Sequence, residues 1–221
     1  MTARPGAATQ AAPGADRYRA LAAAARAEPP KTKGSRFIGE AYPVTSEEEA
    51  MAVLAAVRRR EHAATHHVWA YRLGPAGDRQ RASDDGEPAG SSGPPVLREI
   101  AGRGLTDTLV VVTRYYGGTK LGTGGLARAY AEAAARALDA APAEWRVVRV
   151  PVPVRFGFAD TAAVLRALAL AGAEAGETVY SADGASLRAL VPRSRVAALG
   201  RALAEATAGR VRVEARAAGE D

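Results

Sequence analysis

The 221-residue chain has no cysteine, and aromatic residues make up only 5% of it. The absence of cysteine excludes disulfide bonds and thiolate ligands for metals. No apolar run approaches the roughly 20 residues that a membrane-spanning helix needs, so we expect no membrane partner. The first dozen residues also lack the apolar core of a secretory signal. These absences predict a cytoplasmic protein.

Positive charge, in contrast, is present in excess. The chain has 30 lysines and arginines against 24 aspartates and glutamates, which gives a formal net charge of +6. Most of this excess lies before residue 151. The lysines of the chain are Lys31, Lys33 and Lys120, and they lie there as well. A basic region of this kind predicts an acidic partner such as RNA. A solvated positive face without a ligand is the alternative.

A glycine-rich segment joins a predicted buried strand to a predicted amphipathic helix. The strand covers residues 109–113, and the helical spacing of apolar residues starts at Leu126. Glycines permit close approach of another backbone, and a helix start offers unpaired N–H groups and a positive dipole end. The segment therefore predicts a site for an anion or a polymer backbone. A tight turn that only brings helix and sheet together is the alternative.

Two common nucleotide-binding motifs do not fit this segment. A P-loop requires serine or threonine directly after the lysine, whereas Lys120 is followed by Leu121. A dinucleotide-binding fingerprint would require glycines directly after the strand and an acidic residue at the end of the next strand, and both are missing. We therefore exclude both motifs.

A second unusual segment, residues 83–95, combines three carboxylates with serine, glycine and proline. The carboxylates are Asp84, Asp85 and Glu87. Like charges this close repel one another unless they are separated by a turn, paired with cations or bound to a metal. We expect an ion pair from Asp84 or Glu87 to Arg114 or Lys120, in preference to a magnesium site.

Four segments together resemble the YigZ/IMPACT family, and the resemblance extends from about residue 31 to the C-terminus. They are residues 33–38, 66–71, 84–88 and 114–130. The resemblance implies an α+β fold with two domains. The N-terminal domain is expected to be an α/β sandwich similar to domain IV of elongation factor G. The C-terminal domain is expected to be ferredoxin-like, βαββαβ, and similar to domain V of that factor. Many relatives have cysteine where this chain has Val68, so no thiol chemistry is transferred.

The predicted boundaries are a flexible N-terminal tail at 1–30, an IMPACT-like domain at 31–146 and a ferredoxin-like domain at 147–221. Within the tail, residues 16–27 are expected to form a short helix. In the last domain, the predicted helix caps are Asp160 and Ser194. A hairpin turn is expected at Asp183-Gly184 and a closing strand from Val211.

We interpret the chain as a noncatalytic protein that binds RNA or the ribosome, because the implied likeness to elongation factor G domains points to them. Eukaryotic relatives act in translational control through a kinase pathway, and that pathway role is not transferred. Neither a catalytic residue nor a cofactor nor a metal is assigned, and the oligomeric state stays open. The residues predicted to form the nucleic-acid or phosphate site are Arg36, Arg114, Tyr115, Gly117, Gly118, Lys120, Gly122, Gly124, Gly125 and Arg128. Tyr115 and Tyr116 are candidates for stacking on a base, and the favoured alternative is that one of the two rings lies in the core. Neighbouring residues of a strand point to opposite faces, so the two rings point in opposite directions.

The alternative function is a hydrolase or transferase that acts on a phosphorylated or otherwise anionic small molecule. In that case the glycine-rich segment would hold the anion, and the acidic segment would supply a base or metal ligands. His66 and His67 form a possible polar site. At most one of them can face a given site, because they are adjacent on a predicted strand.

Overall fold

The computed structural model of the chain describes residues 16–213, and these belong to two compact units. The N-terminal unit runs from Tyr18 to Arg146. The C-terminal unit begins at Val147, and Asp16 and Arg17 also belong to it. Both units mix helices and strands, so the predicted α+β class with two-domain organisation is confirmed.

The N-terminal unit contains a five-stranded antiparallel sheet with helices on both of its faces. The strand order is β2-β3-β6-β4-β5, and a separate small sheet pairs β1 with β7. The elements of this part of the chain are β1 (Arg17–Leu21), β2 (Ala25–Ala27), β3 (Arg36–Pro43), α1 (Glu47–Arg60), β4 (His66–Leu73), β5 (Arg79–Ser83), α2 (Gly93–Gly102), β6 (Thr108–Tyr115), α3 (Thr123–Ala140) and β7 (Ala143–Val147).

Strand β6 lies at the centre of the sheet because its side chains are apolar on both faces. Val110 and Val112 pack in the core beneath α2 and α3. Leu109 and Val111 pack in a second core with the side chains of α1. The uninterrupted β-branched run in the sequence is typical of a strand that is buried on both faces.

Helix α3 crosses the sheet in direct contact with the backbone of β3. At Gly39, an added Cβ atom would lie 2.1 Å from the carbonyl oxygen of Ala133. Such a distance is incompatible with any side chain, so glycine at this position allows the helix to lie against the strand. The N-terminus of α3 is thereby fixed relative to the end of β6.

The sequence Ser46-x-x-Glu49 predicts a capping box at the start of α1, and the structure confirms this start with a variation in the partner of Glu49. The side chain of Ser46 accepts a hydrogen bond from the backbone N–H of Glu49 at 3.1 Å. The Glu49 carboxylate accepts from the N–H of Thr45 at 2.7 Å, one residue before the position that a standard capping box uses.

The prediction of a helix at residues 16–27 within a flexible tail is wrong. Strand β1 pairs with β7, and β2 joins the large sheet beside β3. Alanine favours helices, but these tertiary pairings override that preference. Residues 1–15 lie outside the described part of the chain.

The C-terminal unit consists of a three-stranded antiparallel sheet that buries one face against two helices. The strand order is β8-β10-β9, as in a split βαβ arrangement. The elements are β8 (Arg149–Phe156), α4 (Thr161–Leu170), β9 (Glu174–Ser181), β10 (Gly184–Pro192) and α5 (Val196–Ala206). Residues 211–213 are not in a strand, and the rest of the predicted closing strand lies outside the described residues.

Three local predictions in this unit need correction. The hairpin turn is formed by Ala182 and Asp183, because Ser181 pairs with Gly184. Asp160 makes no capping hydrogen bond, since its carboxylate accepts from the guanidinium of Arg210 at 2.7 Å. Ser194 does not cap α5 either, because its hydroxyl donates to the carboxylate of Asp16.

Within residues 16–213, no helix combines the length and the apolar character needed to span a membrane.

Candidate functional site

The glycine-rich segment between β6 and α3 is held in place by contact between two backbones. An added Cβ atom at Gly117 would lie 1.9 Å from the carbonyl carbon of Gly34. The hydroxyl of Ser35 accepts a hydrogen bond from the N–H of Gly117 at 3.1 Å. Ser35 is fully buried. The loop is therefore positioned by the segment that precedes β3.

Helix α3 begins at the end of this loop without a side-chain cap. Its N-cap residue is Gly122, with φ of 71°, a conformation that glycine adopts without strain. The first N–H group with an intrahelical partner is that of Leu126, which donates to the carbonyl of Gly122 at 2.9 Å. The N–H groups of Thr123, Gly124 and Gly125 have no acceptor inside the helix. The exposed helix start consequently carries the positive end of the helix dipole.

Asp84, in the acidic segment, caps a different helix. Its carboxylate accepts hydrogen bonds from the N–H groups of Gly90, Ser92 and Gly93, each at 2.8 Å. Ser92 is the N-cap residue of α2 but makes no capping bond with its own side chain. The prediction that Asp84 pairs with a cation of the glycine-rich segment has no support in these contacts.

Burial alone would raise the pKa of Asp84, but the three N–H donors outweigh it and hold the pKa below its ordinary value. The charged carboxylate therefore stabilises the fold above that ordinary value, and this contribution is lost as the pH falls through the lowered folded-state pKa. We expect Asp84→Asn to lower the free energy of unfolding by about 2 kcal/mol at pH 7. The difference from wild type should shrink below a pH of about 4.

Urea unfolding at several pH values, followed by tryptophan fluorescence, measures this effect. Both tryptophans, Trp69 and Trp145, belong to the N-terminal unit, so the fluorescence reports on that unit. Glu48→Gln changes an exposed carboxylate in the same unit and should be nearly silent. A deficit of Asp84→Asn that does not depend on pH would contradict the capping role of the charge.

Asp85 connects the acidic segment to two neighbouring elements. One carboxylate oxygen accepts from the guanidinium of Arg58 at 2.5 Å, at the end of α1. The other accepts from the backbone N–H of His67 at 2.6 Å. Asp85 thus does more than form a turn, because it holds the acidic segment against β4.

Glu87 forms a buried ion pair with Arg114, which confirms one of the pairings expected from the sequence. The atoms Oε1 and Nη1 are 2.6 Å apart, and each side chain is only 5% exposed. The hydroxyl of Tyr130 also donates to Oε1 of Glu87, at 2.7 Å. Burial and this contact raise the pKa of Tyr130, so its hydroxyl stays protonated. The ion pair joins the acidic segment to the strand that leads into the glycine-rich loop.

His66 presents one ring nitrogen to the same region, while a hydrogen bond holds the other. Its Nδ1 lies 2.8 Å from the backbone carbonyl oxygen of Asp85. A carbonyl oxygen only accepts, so Nδ1 carries the proton and donates it. Nε2, which lies 3.9 Å from Oε1 of Glu87, is left as a hydrogen-bond acceptor in the neutral ring.

His67 lies on the opposite face of the sheet, as alternation along the strand requires. It is buried, and burial lowers the pKa of its imidazole. Of the two histidines of the predicted polar site, only His66 therefore faces the acidic segment, and its part in such a site stays a prediction.

These elements surround a cleft of about 540 Å³, which we call the glycine-loop cleft. Its lining combines polar groups with an apolar wall. The lining residues are Thr65, His66, Glu87, Pro88, Arg114, Tyr116, Lys120, Leu121, Gly122, Thr123 and Leu126. The exposed start of α3 and the side chain of Lys120 thus lie at the same opening.

Of the ten residues predicted for the phosphate site, three line the cleft, namely Arg114, Lys120 and Gly122. The other seven do not line it, and they are Arg36, Tyr115, Gly117, Gly118, Gly124, Gly125 and Arg128. Arg36 and Tyr115 lie on the other face of the sheet. Arg36 donates two hydrogen bonds to the carboxylate of Glu28, at 2.6 and 2.8 Å. Its guanidinium lies 5.5 Å from the ring centre of Tyr115, whose hydroxyl donates to Glu61 at 2.7 Å. Both side chains are on the α1 face of the sheet, because Arg36 and Tyr115 are paired across β3 and β6.

The cations predicted to contact phosphate also differ in their availability. Arg114 is buried in its ion pair, so the structure gives it a role in holding the cleft together. Lys120 is exposed at the cleft, and Arg128 is exposed on α3 without lining the cleft. Thr123 lines the cleft although it was not in the predicted set, and so does Tyr116, which the sequence analysis named only as the alternative to Tyr115 for stacking. Alternation along β6 could have indicated Tyr116, since it follows Arg114 by two residues.

Sequence comparisons match both parts of the chain to known families. The family called Impact N-terminal domain matches residues 33–138, and a domain of unknown function (DUF1949) matches residues 154–210. A Thermus thermophilus protein described as "IMPACT family member in pol 5'region" is 44% identical over 182 residues, which cover 81% of this chain and 97% of that protein.

A second relative and a solved structure are also similar to this chain. The Escherichia coli protein "IMPACT family member YigZ" is 45% identical over 100 residues, covering 44% of this chain and 49% of that protein. A solved structure described as "Crystal structure of an hypothetical protein" superposes with a TM-score of 0.73 at 29% identity. It covers 92% of this chain and 99% of its own.

Proposed function

The chain belongs to the IMPACT family, and from the geometry of its glycine-loop cleft we propose that it binds RNA, free or within the ribosome, in the regulation of translation. The observation that carries the proposal is the uncapped start of α3 beside Lys120. A helix start with free N–H groups and a nearby lysine is suited to a phosphate group.

The cleft is also held ready for a ligand before binding. Gly117 rests against Gly34, and the Glu87–Arg114 pair fixes the acidic segment beside the loop. A rigid site loses less conformational entropy when it binds. Because Glu87 neutralises Arg114, the charge left for a phosphate at the cleft is that of Lys120 and the helix dipole.

The predicted likeness of the two units to domains IV and V of elongation factor G supports the same proposal, since that factor acts on the ribosome. A cytoplasmic location belongs to the proposal as well.

Replacement of Lys120 by alanine tests the proposal through the salt dependence of binding. Each phosphate contact with single-stranded nucleic acid contributes about 0.7 to the slope of log affinity against log salt concentration. We expect Lys120→Ala to weaken the binding of a single-stranded RNA and to reduce this slope by about that amount. Fluorescence anisotropy with a labelled RNA at 50 to 200 mM salt gives both quantities.

Lys31→Ala is the matched control, because Lys31 is an exposed lysine of the same unit outside the cleft. It should leave the affinity and the slope nearly unchanged if binding is confined to the cleft. An equal slope for Lys120→Ala and wild type would remove Lys120 from the contacts. In cell extracts, migration of the wild type as free protein at low salt, regardless of ribonuclease, would contradict binding to RNA or the ribosome.

A second candidate is a hydrolase or transferase that acts on a phosphorylated or otherwise anionic small molecule. The observation in its favour is His66, whose Nε2 is an unprotonated base at the cleft when the ring is neutral. Turnover of such a substrate that is lost in His66→Ala, with RNA affinity unchanged, would favour the enzyme.

A further inference from the structure

The glycine-loop cleft has more apolar surface than a contact with phosphates alone requires. Pro88, Leu121 and Leu126 line it together with the ring of Tyr116. Its volume of about 540 Å³ is in the range of sites that enclose a small molecule. Phosphate groups are bound by cations and N–H groups, so the apolar wall indicates a ligand with a flat, weakly polar part.

Tyr116 is the residue best placed to contact such a ring. Its side chain is 47% exposed, so its ring is accessible to a ligand. The guanidinium of Arg114 lies 5.3 Å from its ring centre and 5.5 Å from that of Phe37. The backbone N–H of Tyr116 donates to the hydroxyl of Thr65 at 3.2 Å. An exposed ring held by these contacts is a ready platform for stacking.

Two groups at the cleft still lack a hydrogen-bond partner that a ligand would supply. Nε2 of His66 is an acceptor when the ring is neutral, and each of the four RNA bases carries an N–H donor. Among the described residues, the buried Nε–H of Arg114 has no acceptor, and the side chain of Arg114 lines the cleft. An unsatisfied buried donor beside a cleft is a place where a bound oxygen atom would recover a hydrogen bond.

From these contacts we propose that the glycine-loop cleft holds one unstacked nucleotide of a single-stranded RNA. The base lies against Tyr116 and the apolar wall, and its phosphate lies between Lys120 and the first turn of α3. This inference rests on the proposed function and adds to it that the RNA must be single-stranded at the site. Because every base offers a ring face and an N–H donor, the cleft binds without strong preference for one base.

The test compares three probes, namely a ten-nucleotide single-stranded RNA, a ten-base-pair RNA duplex and adenosine 5′-monophosphate. Tyr116→Ala should weaken binding of the single-stranded RNA by about 5- to 100-fold. It should leave duplex binding unchanged, because paired bases cannot enter the cleft. Tyr116→Phe retains the ring and should keep the affinity of the wild type. Tyr180→Ala is the matched control, since Tyr180 is 71% exposed in the C-terminal unit.

The outcomes separate this inference from the proposed function. Binding of single-stranded RNA that depends on Lys120 but not on Tyr116 would overturn the inference and leave the proposed function intact. If the monophosphate binds as tightly as the single-stranded RNA and this binding is lost in Tyr116→Ala, the ligand is a free nucleotide. That result would overturn the proposal that the nucleotide belongs to an RNA. A wild type that binds none of the three probes would overturn both. Circular dichroism of each variant establishes that it is folded.

Discussion

Arg114→Met should lower the free energy of unfolding of the N-terminal unit by about 3–5 kcal/mol, because it leaves the Glu87 carboxylate buried without its cation. Glu87 is only 5% exposed and keeps just the hydroxyl of Tyr130 as a close donor. A buried charge without a partner is among the most destabilising defects in a folded protein. Urea unfolding followed by tryptophan fluorescence measures the loss.

The double variant Arg114→Met with Glu87→Gln shows whether the lost stability comes from an unpaired buried charge or from a general loss of packing. The amide oxygen introduced by Glu87→Gln still accepts from Tyr130, so the double variant should recover about half of the lost stability. Arg136→Met serves as the control, because Arg136 is 51% exposed in its pair with Glu132 and should contribute about 0.5 kcal/mol or less. Equal losses for Arg114→Met and Arg136→Met would show that the buried pair has no special role.

Magnesium provides a further check of the same ion pair. All three carboxylates of the acidic segment already have partners in the protein. We therefore expect the melting temperature of the wild type to be insensitive to magnesium, and Glu87→Gln to melt at a lower temperature with or without it. A wild type strongly stabilised by magnesium, with the effect abolished in Glu87→Gln, would favour the enzyme over the ion pair.

Gly117→Ala should destabilise the N-terminal unit by about 3 kcal/mol and also abolish RNA binding. The new Cβ atom would lie 1.9 Å from the carbonyl carbon of Gly34 and 2.3 Å from the backbone nitrogen of Ser35. Neither backbone can yield easily, because Ser35 is fully buried and leads directly into β3. Overpacking of this kind costs about 1–3 kcal/mol or more, and relief of the clash would move the loop away from the cleft.

Gly124→Ala is the matched substitution in the same segment. Its Cβ atom would meet only Nη1 of Arg128, at 3.8 Å, and alanine at a helical position gains about 0.5–1 kcal/mol over glycine. Gly124→Ala should therefore leave stability unchanged or slightly raised. A Gly117→Ala variant as stable as Gly124→Ala would disprove the close contact between the two backbones.

Local chemistry was sufficient to predict several elements of the N-terminal unit. The apolar composition from Arg36 and the proline at position 43 predict a strand at Arg36 to Pro43, and β3 has these limits because both signals act within a few residues. Ser46 caps α1 for the same reason, since the bond to Glu49 spans three residues. Where the stabilising contact is close in the sequence, the sequence pattern was informative.

Predictions failed where the stabilising partner is distant in the sequence. Strand β1 owes its conformation to β7, and Ser194 is engaged by Asp16 rather than by its own helix. The alternation of Tyr115 and Tyr116 was predictable, but which ring reaches the cleft depends on the register of β6 with its neighbours. For Arg114, the sequence allowed both a phosphate contact and an ion pair, and only the fold shows that burial with Glu87 takes precedence.

The placement of Asp16 has a consequence for the order in which a nascent chain can fold. The N-terminal unit is one continuous stretch, so it can fold soon after Arg146 has been synthesised. The carboxylate of Asp16 must wait for Ser194, which lies 178 residues further along the chain. At usual rates of translation the delay after Arg146 is roughly 2 to 10 seconds. A polypeptide released prematurely in that interval would have a finished N-terminal unit but an incomplete C-terminal unit, which cellular proteases would recognise.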